Sequence, residues 1–236
     1  MLLPPLEPAI FLRRPNRFVA EVRMGRRTVL AHVPNTGRLG ELLVEGRPVW
    51  VAPKLQVKGR ATACDLVLVA LPPQAGTLVS PLVSLDSRLP PRLIEEVLAA
   101  RRLPSFRGYR RVERERTYGD SRLDLLLSGP QGTCYIEAKS CNRVENGVAL
   151  FPDAVTQRGA RHLHDLAAAA RAGHRAAVVF TVQRQDATSF ATDPTDPDFG
   201  QAFREARAAG VEAYAYPCRV TAQEVILMPK PLPIVK

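Results

Sequence analysis

RTYGDSRLDLLLSGPQGTCYIEAKS, residues 116–140, reads as two apolar strands joined by a Gly/Pro turn: LDLLL, then SGPQG, then TCYIEAK. Asp124 heads the first strand, and Glu137 and Lys139 stand near the end of the second. Side chains alternate along a strand, so Glu137 and Lys139 share a face while Ala138 points to the other. Paired in the simplest register, the hairpin lays the Asp124 carboxylate beside that couple. Two carboxylates and an ammonium at the end of an apolar ribbon suit a hard cation, Mg²⁺ or Mn²⁺, with Asp124, Glu137 and the Ala138 carbonyl as ligands. Lys139 would orient a water or offset charge on a phosphate. An E-x-K triplet met alone is most often an exposed edge pair. Here apolar runs on both sides imply buried strands, where charges are rarely left unpaired. The acids are 13 residues apart, about what a short hairpin needs, a polar helix start follows, and the whole chain is basic.

The formal net charge is +10 and the chain has 236 residues, enough for one large domain or two modest ones. Such a basic balance favours a polyanionic partner, nucleic acid before a membrane surface. No 18-residue apolar window and no signal-peptide pattern is present, so no membrane is expected and the cytoplasm is the expected place, at the nucleoid if the source is bacterial. The cysteines, Cys64, Cys134, Cys141 and Cys218, form no CxxC pair and read as buried free thiols. No small-molecule cofactor is expected.

Residues 1–84 read as all-β. FVAEV, TVLAHV, PVWVAP and TACDLVLVAL are strand-like, with turns at Gly25, Asn35–Gly37, Gly46–Pro48 and Gly59. Eleven Lys and Arg stand here against five acids, so net +6 lies in this third. A small five-stranded barrel of OB type with a basic face is a common nucleic-acid platform. Arg13, Arg14 and Arg17 are its candidate phosphate contacts. HVPNTGRL offers Asn35, Thr36, Arg38 and the turn amides as a phosphate cradle, or else is a structural turn after a half-buried His32. Few aromatics are available for stacking, which favours the backbone of double-stranded DNA over single strands.

From residue 85 to 236 the order helix, strands, helix, strand, helix, strand describes an α/β domain with a mixed sheet and helices on both faces. The first helix, in SRLPPRLIEEVLAARRLP, carries Glu95 and Glu96, either as acids favoured by the helix dipole or, for Glu96, as a third carboxylate. A second helix is expected from Pro152–Asp153 to Gly173, with Gln157 and Arg158 near the site. Asp196 and Pro197 should start a third, after an irregular stretch at residues 184–200. No helix-turn-helix grammar appears, so sequence-specific readout is not expected.

SRLD followed by EAK, in a helix-strand-strand-helix order, resembles the PD-(D/E)xK nuclease superfamily. RRPNRFVAEV, HVPNTGRL, AARRLPSFRGY, SRLDLLL, CYIEAKS, ENGVALFPDAVTQRGARHLHDL, AGHRAAVVF and GVEAYAY together resemble the sugar fermentation stimulation protein A family. That family is described as DNA-binding, and its members are similar to a nuclease-like domain joined to an N-terminal OB-like domain. The resemblance implies Asp124, Glu137 and Lys139 as the catalytic group, with Glu96 at the N-terminal acid position and Gln157 and Arg158 on the following polar helix. Ser121-Arg122 departs from the superfamily, which often has proline next to its first acid, and leaves the acid itself intact; Arg122 and Arg158 are further candidate DNA contacts. Two functions follow: a metal-dependent nuclease on double-stranded DNA, or a non-catalytic DNA-binding regulator of sugar-metabolism genes on the same fold. A homodimer is compatible with either.

Overall fold

In the computed structural model, residues 1–54, 61–73 and 80–235 are described, which leaves the turn expected at Gly59 outside the described residues. The first third forms β1 (Glu7–Asn16), β2 (Val19–Met24), β3 (Arg27–His32), β4 (Pro48–Pro53), β5 (Cys64–Ala70) and β6 (Leu82–Ser84). β1 pairs with both β2 and β4, β4 with β5, and a short parallel pairing of β3 with β5 closes the barrel. The expected five-strand OB-like barrel is present, with β6 added on the edge of β5. Phe11, Val22, Ala31, Val49, Val51 and Leu66 fill it. Each of these side chains larger than alanine contributes about 1.5–3 kcal/mol when fully buried. β1 is the strand that the sequence did not announce. Arg13, Arg14 and Pro15 interrupt its apolar pattern, and its pairing with β2 shifts register on both sides of Arg13.

The rest of the chain adds α1 (Leu89–Ala99), β7 (Arg111–Tyr118), β8 (Ser121–Gly129), β9 (Gly132–Cys141), β10 (Arg143–Glu145), β11 (Val148–Phe151) and α2 (Gln157–Arg171). After these come β12 (Arg175–Val182), β13 (Ser189–Thr192), α3 (Pro197–Ala208), β14 (Glu212–Val220) and β15 (Val225–Leu227). The main sheet runs β15-β14-β12-β9-β8-β7, with β9, β12 and β14 parallel and the others antiparallel. β12 is buried along almost its whole length because helices cover both faces of the sheet. α1 packs on one side, with Leu93, Ile94 and Val97 against Leu125, Ile136 and Val179. α2 and α3 pack on the other, with Leu163, Leu166 and Phe203 against Val178 and Phe180. A small sheet, β10-β11-β13, flanks them and takes up part of the stretch expected to be irregular.

Two helix starts show how local signals were used. Asp196 caps α3 as expected, accepting from the Phe199 amide at 3.1 Å, with Pro197 in the first turn. α2 instead begins at Gln157, capped by Thr156, and not at Pro152–Asp153. The Asp153 carboxylate is taken by a distant partner, the Leu39 amide, at 2.7 Å. That bond is part of a polar lock between barrel and sheet domain. Asn35 donates to the Leu85 carbonyl (3.0 Å) and to Asn142 (3.2 Å), Asn142 donates to the Ser84 carbonyl (2.5 Å), and the Ser87 hydroxyl donates to the Pro34 carbonyl (2.8 Å). Buried amides bonded on this many sides fix a unique docking, since leaving any of them unpaired costs about 1–3 kcal/mol.

Candidate active site

β8 and β9 part company at the acids. Their main-chain pairing runs from the turn up to Leu125 opposite Ile136, so Asp124 opposite Glu137 would come next. In place of a further main-chain bond, the Asp124 carboxylate accepts the Ala138 amide at 2.8 Å. Pairing on the other edge of β8 also skips Asp124, where Glu115 adopts a left-handed backbone with φ +55°. Such a conformation costs a non-glycine residue about 1–2 kcal/mol. The ribbon therefore opens at Asp124, and a cleft of about 350 Å³ forms there between the two domains. Asp124, Glu137, Ala138 and Lys139 line its floor, Arg17 and the Asn35–Gly37 loop come from the barrel, and Thr156, Arg158, Gly159 and His162 come from the start of α2.

Glu137 and Lys139 share a face as their spacing required. The Lys139 ammonium donates to Glu137 Oε1 at 2.6 Å. His162 Nδ1 meets the same oxygen in a short hydrogen bond. Arg158 Nε donates to His162 Nε2 at 3.2 Å, so in the neutral ring the proton sits on Nδ1 and points at Glu137. Arg158, His162 and Glu137 thus form a chain from the cleft wall to its floor. Glu137 is 3% exposed, yet its second oxygen, Oε2, is buried without a hydrogen-bond partner among the described residues. A buried carboxylate oxygen with no donor is rare and calls for a ligand.

The two acids differ in charge state. Burial, with Glu137 alongside, pushes Asp124 up to about 7, against the pull of the Ala138 amide, Lys139 and Arg158. Burial acts the same way on Glu137, but Lys139 and His162 outweigh it and hold that carboxyl below its usual range. At neutral pH the floor carries one firmly ionised carboxylate and one that exchanges a proton readily.

Several expected site residues lie elsewhere. Glu96 is on the last turns of α1, away from the cleft; its carboxylate is half-exposed and pairs with the Met1 ammonium at 3.1 Å. Leu93, Ile94 and Val97 take the core-facing stripe of that helix, which turns Glu96 aside. Gln157 is exposed and outside the cleft lining, because with Thr156 as cap it is Arg158, Gly159 and His162 that face inward. Arg14 is spent on the carbonyls of Arg17, Asn35, Gly37 and Arg38. Arg13 pairs with Glu21, and Arg122 is an exposed residue 3.6 Å from Glu115. The turn amides of Gly37 and Leu39 are also occupied, by Asn35 Oδ1 and Asp153, so the loop is not an open cradle. Asn35 edges the cleft, but it is buried with its amide nitrogen and oxygen taken by the domain lock and the Gly37 amide, and Arg38 is exposed outside the cleft lining. Arg17, Thr36 and Arg158 remain at the cleft. His162 went unnoticed as a site residue, although its i,i+4 spacing from Arg158 on the helix after E-A-K was a readable signal. Among the described residues no three His, Cys, Asp or Glu side chains stand as a ready ligand set for a metal. All four cysteines are free and buried, and no helix is long and apolar enough to cross a membrane among the described residues.

Two family models match, the SfsA N-terminal OB domain over residues 12–80 and the sugar fermentation stimulation protein RE domain over residues 88–224. The chain belongs to the sugar fermentation stimulation protein family. A homologue from Chloroflexus aggregans is 48% identical over 94% of this chain and 83% of its own length. One from Moorella thermoacetica is 48% identical over 93% of each chain. The solved structure of Pyrococcus furiosus SfsA in complex with Ca²⁺ is 33% identical, covers 100% of this chain and 98% of its own, and superposes with a TM-score of 0.88. The family's two-part architecture, barrel and mixed-sheet α/β domain, is the one described above.

Proposed function

We propose that this family member binds double-stranded DNA and cleaves its phosphodiester backbone with a divalent cation held between β8 and β9. The observation that carries the proposal is the unpartnered Oε2 of Glu137, buried beside Asp124 at the one point where the hairpin opens. The donor set fits a hard cation: Asp124, Glu137 Oε2 and the carbonyl of Ala138, which leaves the strand on the same side as the amide bound to Asp124. A relative solved with Ca²⁺, a cation of the same ligand preference, supports this reading. Such a cation, Mg²⁺ or Mn²⁺ in use, would lower the pKa of a bound water and polarise a phosphoryl oxygen.

The chain's own groups do the rest. Lys139 lies where it can orient a water and offset charge on the phosphate. His162 holds Glu137 Oε1, so that Oε2 faces its ligand. Arg158 is fixed through Nε, while its terminal nitrogens have no partner among the described residues and can grip a phosphate with two donors. Arg17 and Thr36 face it from the barrel wall, so a strand entering the cleft is held from both domains. The net charge of +10 draws the duplex in.

One observation favours the second reading, a DNA-binding regulator without cleavage. With Glu96 turned away, Asp124 and Glu137 are the carboxylates on the floor among the described residues, and Asp153, also on the cleft lining, is bound by the Leu39 amide. Labelled linear, nicked and branched duplexes incubated with Mn²⁺ or EDTA separate the two. Cleavage that needs Mn²⁺ and is lost in Asp124→Asn and Lys139→Ala supports the nuclease. A gel shift without cleavage in any metal supports the regulator.

A further inference from the structure

ARRLPSFRGYRR, residues 100–111, joins α1 to β7 and carries five arginines and no acid. Its fold is tight. Gly108 has φ +94°, and a Cβ there would sit 2.2 Å from the Gln131 side chain; a Cβ on Gly129 would sit 2.6 Å from the Gly108 carbonyl. The connection is therefore seated flush on the β8–β9 turn, and the Arg110 amide donates to the Ser128 carbonyl at 2.8 Å. Between them lies a cavity of about 500 Å³ edged by Arg101, Arg107 and Arg110, with Phe106 and Tyr109 beneath.

All three arginines are exposed, and none has an acid within ion-pair distance among the described residues. Arg175, beside them, behaves differently. It is bound by both oxygens of Glu212 at 2.6 and 2.7 Å and lies over the Phe106 ring, so it stiffens the floor and has no charge to spare. Arg101 adopts φ +56° just past the helix end, where glycine is the usual residue. The helix dipole accounts for a cation at Arg101 and Arg102. It does not account for Arg107 and Arg110 on the same cavity. Unneutralised guanidinium groups converging on a rigid rim have the geometry that phosphate oxygens accept in pairs.

We infer that Arg101, Arg107 and Arg110 form a second phosphodiester-binding site at the far end of the β8–β9 hairpin, which holds the duplex that occupies the cleft. The inference rests on the double-stranded DNA reading above. Asp124 and Pro130 are six residues apart along the strand, about 20 Å, or roughly six phosphates along one DNA strand.

The test is fluorescence anisotropy of a labelled duplex of about 30 base pairs, titrated at several salt concentrations, with Mn²⁺ binding to each protein measured by calorimetry; a site size of this order lets both contacts engage. Each lost phosphate contact lowers the log–log salt slope by about 0.9. Arg107→Ala/Arg110→Ala should therefore reduce the slope by about 2 and the affinity at least tenfold, with Mn²⁺ binding unchanged. Arg101→Gly relaxes the backbone, so it should keep the melting temperature while the slope falls by about 1. It decides the matter if the double variant folds poorly. Wild-type binding with unchanged slopes in the variants overturns the second site and leaves the DNA reading standing. Absence of salt-sensitive binding by the wild type overturns both.

Discussion

Asp65 in the barrel and Asp124 in the cleft are both acids withdrawn from water, and the fold treats them in opposite ways. Asp65, 2% exposed, is met by Lys54 at 2.8 Å, Arg88 at 2.9 Å and His32 at 3.2 Å. Burial would raise its carboxyl, but Lys54 and Arg88 together bring it down to about 2. Asp124 has one amide and a neighbouring carboxylate, and it rises to about 7. The first acid closes a structure. The second is held at a cost that a cation would relieve, and this difference separates a buried ion pair from a binding site.

The largest way to sharpen the contrast is Asp124→Asn. Its carboxyl moves from 3.8 in the unfolded chain to about 7 in the fold. The stability it contributes is thus complete below pH 4 and lost as pH rises through 7. The variant keeps an acceptor for the Ala138 amide. It should be more stable than wild type at pH 8, on the order of 2–4 kcal/mol by urea denaturation, and equal to it at pH 4. Mn²⁺ at a thousand times Kd should close or reverse that gap at pH 8, because only the wild type gains from binding, by about 4.1 kcal/mol. A variant that is less stable at pH 8 without metal would show that Asp124 resembles Asp65 after all.

His162→Ala comes next in size. Removing the group that orients a ligating carboxylate costs about 10–100-fold in metal affinity. His162→Asn, whose amide can stand in for Nδ1–H, should recover part of it. Calorimetry with Mn²⁺ reads both, and equal affinity in all three proteins would reduce His162 to packing.

Asp65→Asn should act in the other direction from Asp124→Asn. Its carboxyl is lowered in the fold, so its stabilisation is present above pH 4 and lost as pH falls through 2. Arg88 and Lys54 are 54% and 37% exposed in their side chains, which limits the expected loss at pH 7 to about 1–2 kcal/mol. Metal affinity should not change.

How far the sequence disclosed these places depends on the range of the interactions. Asp124, Glu137 and Lys139 were legible because a strand's two-residue period and a short turn fix their relation locally. Asn35 was not. It looked like a turn residue with spare donors, and its partner Asn142 is 107 residues away. Arg14 misled for the same reason, since four carbonyls brought together by the barrel consume its charge. The start of α2 was misplaced by a pull from Leu39 on Asp153, which no local propensity records. The parallel order of β9, β12 and β14 followed from continuous apolar runs separated by helices, and it set the cleft at the point where β8 leaves β9.

The smallest effect belongs to Glu96, and it tests whether a family position or the geometry of this chain governs the site. A third carboxylate on the cation would make Glu96→Gln a variant with tenfold or greater loss of metal affinity. The helix argues otherwise. Pro91 lines the cleft at the start of α1, whereas Glu96 lies five residues further on, off the core stripe, in an ion pair that is half open to water. Exposed pairs of this kind contribute about 0–1 kcal/mol. Glu96→Gln should therefore shift unfolding by less than about 1 kcal/mol and leave the Mn²⁺ isotherm superimposable on wild type. A weakened isotherm with unchanged stability would mean that α1 turns to bring Glu96 to the metal, and the two-carboxylate floor would have to give way to one of three.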